Sequence, residues 1–96
     1  MLWDIKFNNG VLIQWISSTL PANKQNNSKI TVVNLPTSFS NTNFRTVLSI
    51  YNVAGSHWAD TGLRAWPNSI SIVYVVTHNH FSSFESMSVA IICIGF

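Results

Sequence analysis

Charge is the scarcest thing in this sequence. Five basic and three acidic residues make up 8% of 96 positions, against about a quarter of an ordinary soluble domain, so the surface is left to Asn, Ser, Thr and apolar groups. Such a surface favours a protein partner over open solvent. The cations Lys6, Lys24, Lys29, Arg45 and Arg64 are scattered, and without a basic stripe to track a phosphate backbone no nucleic acid is expected as a partner. The acids Asp4, Asp60 and Glu85 offer little choice of acid/base pairs. No nucleophile elbow or Gly-rich phosphate loop is present either, so neither catalysis nor a bound cofactor is expected. Cys93 is the single cysteine, which excludes an intrachain disulfide, and its place in the run Val89 to Ile94 reads as a small buried hydrophobe. No apolar run approaches the roughly 20 residues of a membrane helix, so membrane insertion is not expected. The opening Met1-Leu2-Trp3-Asp4 lacks the basic and apolar regions of a signal peptide, and the expectation is a soluble domain without one.

What is abundant is short apolar and β-branched runs, in a chain that is 47% hydrophobic, broken by Asn, Ser, Gly and Pro. No stretch holds a 3.6-residue stripe for three turns. Residues 1–96 therefore predict one all-β domain with strands near Val11–Ile16, Lys29–Asn34, Arg45–Tyr51, Ile70–Thr77 and Ser88–Ile94. A short strand at Asp4–Phe7 would be turned by Asn8-Asn9-Gly10, whose Asn-Gly pair suits positive φ in a tight hairpin. Any helix would fall at His57–Arg64. Alternation puts Ile70, Ile72, Tyr74 and Val76 on one face and Ser71, Val73, Val75 and Thr77 on the other. The last run, Val89-Ala90-Ile91-Ile92-Cys93-Ile94, is apolar on both faces, one for the domain core and one for a second subunit. Three long polar linkers remain: Ser17–Ser28, Asn52–Ser69 and His78–Met87.

The second linker is the best candidate for a binding site. Its stretch Ala54–Asn68 gathers His57, Trp58, Asp60, Arg64, Trp66 and Asn68. A sugar needs an aromatic face for its C–H side and planar polar groups for its hydroxyls; Trp58 or Trp66 supplies the first, Asp60, Arg64 and Asn68 the second. The competing reading makes the two Trp plugs of the sandwich or of a subunit interface, with Asp60 and Arg64 paired or closing a turn. In His78-Asn79-His80 both imidazoles point to one side of an extended segment, and on a threefold axis three copies would offer six nitrogens to one metal ion. The plainer reading is two loop histidines that hydrogen-bond or face solvent. Alternation separates Gln14 from Trp15, with Trp15 assigned to the core and Gln14 to a neighbour or to solvent.

Three pieces in order, Asn9-Gly10-Val11-Leu12-Ile13-Gln14-Trp15, Ile30-Thr31-Val32-Val33-Asn34-Leu35-Pro36-Thr37-Ser38-Phe39 and Ala90-Ile91-Ile92-Cys93-Ile94-Gly95-Phe96, give a chain that resembles the C-terminal domain of phage and prophage tail fibres. Ile16 stands where that pattern has Gly, and Phe96 where it has Tyr. The resemblance implies a small antiparallel β-sandwich-like knob, intertwined or closely packed as a homotrimer, at the distal end of a virion fibre. It also implies loops that adhere to a bacterial surface glycan or outer-membrane protein. The alternative is a trimerisation and capping domain without receptor contact.

Overall fold

A computed structural model describes residues 2–24, 27–54, 61–79 and 84–96. Seven strands account for most of them: β1 (Leu2–Lys6), β2 (Leu12–Asn23), β3 (Ser28–Asn34), β4 (Arg45–Ala54), β5 (Thr61–Ser69), β6 (Ile72–Asn79) and β7 (Phe84–Gly95). They form two antiparallel sheets, one ordered β1-β2-β7-β4 and the other β3-β6-β5. Among the described residues there is no helix.

The first hairpin forms as its sequence predicts. Phe7 and Val11 close it (Phe7 N–H to Val11 O, 2.8 Å), and Gly10 donates back to Phe7 O at 2.9 Å with φ of 92°. A three-residue loop whose last member is left-handed requires a residue without a Cβ penalty, and Gly10 occupies that position. The Asn9 side chain caps the same turn by accepting from Val11 N–H at 3.1 Å.

Strand alternation builds the core between the sheets. From the four-stranded sheet come Leu12, Ile16 and Leu20 of β2 and Met87, Val89, Ile91 and Cys93 of β7; from the other come Val33, Val73 and Val75. β6 begins at Ile72, so Ile70 and Ser71 of the expected strand form the turn before it, and the strand keeps the expected alternation with Val73, Val75 and Thr77 turned inward. Burial pushes the Cys93 thiol up to about 11.

The two ends of the sandwich are closed differently. At one end, the Phe39 and Phe44 rings stack at 4.2 Å, and a Cβ on Gly95 would meet Phe44 Cβ at 2.5 Å, so the last residue of β7 must be glycine for the stack to lie over it. The backbone N–H groups of Leu35, Phe39 and Ser40 tie this end together by donating to Ser71 O, Ile70 O and Phe96 O. At the other end Asn23 is the polar plug. Its amide donates to Thr77 Oγ1 (3.1 Å) and Asn27 O (3.0 Å), and its carbonyl oxygen accepts from Lys24 N–H and the Asn27 amide.

Several sequence expectations change. β2 and β7 extend to 12 residues each, absorbing parts of the predicted linkers, because each strand keeps a partner along its whole length, Asn23 still facing Phe84. The linker Asn52–Ser69 contains β5, so Thr61–Arg64 is strand and not helix. Gln14 is fully buried, where a neighbour or solvent was expected to meet it. Its amide donates to Thr37 O (2.7 Å) and its carbonyl oxygen accepts from Thr37 N–H (2.9 Å), so it replaces a missing strand neighbour for the 35–44 segment. Trp15 follows with its side chain on the outer face, half-buried, and not in the core.

Neighbouring residues on β7 separate the two faces energetically. Ile91→Ala should cost about 2 to 5 kcal/mol in denaturant unfolding because it opens a cavity in the core, whereas Ile92→Ala, 37% exposed, should cost far less. Cys93 should resist a thiol reagent at pH 8 in the folded protein, since the thiol stays protonated well below its raised value, and react fully once denaturant unfolds the chain.

Candidate binding face

Because β5 alternates Leu63 and Ala65 inward with Arg64 and Trp66 outward, two of the expected site residues lie on the outer face of the three-stranded sheet. Register places Trp66 beside Tyr74 and Tyr74 beside Val32, while Arg64 lies beside Val76 and Val76 beside Ile30. The Trp66 and Tyr74 rings meet edge to face at 6.2 Å, and the Arg64 guanidinium carbon sits 6.0 Å from the Trp66 ring centre. Each contact restrains a long side chain without covering it: Trp66 remains 38% exposed. Asn68 is the extra residue of a bulge between Pro67 and Ser69 and is exposed at the end of the same strand. Asn34 is exposed at the end of β3.

This face therefore carries apolar rings with polar groups around them: donors on Arg64, and both donors and acceptors on Asn68 and Asn34. That mixture suits a ligand with an apolar face and hydroxyl edges. The sequence expectation for Arg64, Trp66 and Asn68 is thus given a strand and not a loop to stand on. Tyr74 was missed as a member because its strand was read for its aliphatic neighbours. The signal was available: Leu63-Arg64-Ala65-Trp66 alternates small or aliphatic with long side chains, the mark of a half-buried strand.

His78 lies two residues beyond Val76 on β6. Its Nδ1 is 2.6 Å from Ser28 Oγ across the strand pair, an interaction that holds the ring against β3. His57, Trp58, Asp60 and His80 lie outside the described residues. Among the described residues no group of three or more His, Cys, Asp or Glu side chains gathers as metal ligands would.

The opposite outer face, on β1-β2-β7-β4, is of another character. Ile5 and Ile13 pair, Ile13 lies beside Ile94, and Ile92 lies between Trp15 and Val47. Val47 is 56% exposed. Arg45, beside Ile94, is the cation at its edge, bound to Asn43 O at 3.3 Å.

Compared with known proteins, residues 6–96 match the family model for the C-terminal domain of gp53-like tail fiber proteins. The fold is similar to the P. aeruginosa R1 pyocin fiber comprising C-terminal residues 323–701, with a TM-score of 0.72 and 13% identity over 93% of this chain and 24% of that one. It is also similar to an N-truncated R1-type pyocin tail fiber, with a TM-score of 0.70 and 10% identity over 93% of this chain and 74% of that one. The chain thus spans about a quarter of the first structure it matches. Comparison with curated protein sequences returns no match.

Proposed function

The chain belongs to the gp53-like tail fibre C-terminal family, and from that premise we propose that it is a virion fibre tip that attaches to the bacterial surface through the outer face of its three-stranded sheet. The observation that carries the reading is the cluster of Arg64, Trp66 and Tyr74, restrained by its own ring contacts and yet uncovered by the fold. Rigid exposed aromatics with a neighbouring guanidinium are what a recognition surface uses, because little side-chain entropy is lost when a ligand settles on them. A surface glycan fits this chemistry, and a loop of an outer-membrane protein is the other receptor class it serves. Attachment requires no covalent step.

The aliphatic face supports the second half of the reading. Ile5, Ile13, Ile92, Ile94 and Val47 offer neither hydrogen bonds nor charge to a polar receptor, and they fit further copies of the same chain in a homotrimer. Three copies set three weak sites on one tip, and several fibres multiply them again, so avidity replaces single-site affinity. His57, Trp58 and Asp60, which precede β5 in the sequence, stay in the proposed receptor surface; a metal on His78 and His80 of three chains remains the minor proposal.

Trp66→Ala should reduce adsorption to host cells by about 2 kcal/mol of binding energy per site, which avidity turns into near-complete loss, with the melting temperature held within a few degrees. Unimpaired adsorption, or collapse of the fold, would count against the face as the receptor site.

A further inference from the structure

One cavity lies apart from both faces, at the end where the first hairpin turn, the 35–44 segment and the close of β7 meet. It holds about 320 Å³ and is lined by Leu12 and Phe39 below, Phe96 at one wall, and Lys6, Thr37 and Ser40 among its polar members. That volume lies at the lower end of the roughly 300 to 1,000 Å³ of small-molecule sites, room for a sugar unit and not for a peptide.

The polar groups are sorted by their internal bonds. Thr37 Oγ1 donates its proton to Asp4 Oδ2 at 2.6 Å, and Ser40 Oγ donates to Phe96 O at 2.7 Å. Both hydroxyls have spent their donors inside the protein, so what they keep for a ligand is lone pairs, and these want the O–H donors of a polyol. Lys6 is the reverse: an exposed ammonium with three donors, engaged in none of the described hydrogen bonds and facing a site that Asp4 does not line. Phe96 is 61% exposed, its ring resting 3.6 Å from the position a Cβ on Gly10 would take, and it presents an aromatic surface beside the aliphatic floor of Leu12. Acceptors for hydroxyls, one cation, and an apolar wall match a ring that carries hydroxyls, one anionic substituent and a C–H face.

We propose that this cavity binds a single sugar ring bearing a carboxylate or phosphate, a second ligand site distinct from the Trp66 face. It rests on the reading of the chain as a surface-attachment domain.

Amide chemical shifts of the labelled chain, titrated with glucuronic acid, glucose 6-phosphate, glucose and inorganic phosphate, test the proposal. Either acidic sugar should move Gly10, Thr37, Ser38 and Ser40 together with an affinity about tenfold above that of glucose, and the tighter of the two identifies the anion. Lys6→Met should erase the preference for acidic sugars, and Phe96→Ala should weaken all three sugars. Glucose binding as well as the acids, inorganic phosphate binding as well as glucose 6-phosphate, or no shifts at these residues would overturn it. Cell adsorption measured alongside separates the two failures. Cells bound without shifts at the cavity removes this site alone; neither cells nor sugars bound removes the attachment reading with it.

Discussion

A strand turns its side chains to both faces, and a two-sheet sandwich covers only the inner face of each sheet. Here that geometry meets a chain with too few charges to make the outer faces polar. β7 shows the consequence within six residues: Val89, Ile91 and Cys93 are buried in the core while Ile92 and Ile94 face outward, beside Val47 and Arg45. β6 does the same for the other sheet, with Val73 and Val75 inside and Tyr74 outside. The proposed attachment face and the proposed contact between copies both follow from two outer faces that the fold itself leaves unclosed.

The faces differ in what they can hold. Aliphatic groups on β1-β2-β7-β4 gain only by exclusion of water, which suits a large, shape-matched surface such as another copy of the chain. Rings, a guanidinium and amides on β3-β6-β5 can pair with a polar ligand one contact at a time. The cavity beside Phe96 adds a third kind of surface, small and concave, whose hydroxyls have been turned into acceptors by bonds to Asp4 and Phe96.

The fold class and most strands were legible in the sequence because period-2 alternation survives wherever a strand has one face in the core. Gly10 was legible for the same local reason, its turn being decided by residues 7–11. β5 was hidden because Trp, Pro, Asn and Ser read as loop composition, while the partner that makes them a strand, β6, comes later in the chain. Gln14 and Trp15 were exchanged between inside and outside for a different reason. Alternation says only that two neighbours part company, and the bonds that draw Gln14 inward come from Thr37, a residue 23 positions away that no local pattern announces. His57, Trp58, Asp60 and His80 lie outside the described residues and keep the standing that the sequence alone assigns them.

The central claim is that the aliphatic outer face joins copies of this chain and leaves the Trp66 face free. Molar mass by light scattering at micromolar concentration addresses it directly, on the chain and on Val47→Lys, which sets a charge on β4, the edge strand of that face, without touching the core. The account predicts a mass near three chains of 10.7 kDa for the former and a folded single chain for the latter. A monomeric parent chain, or a Val47→Lys variant that stays trimeric, would contradict it.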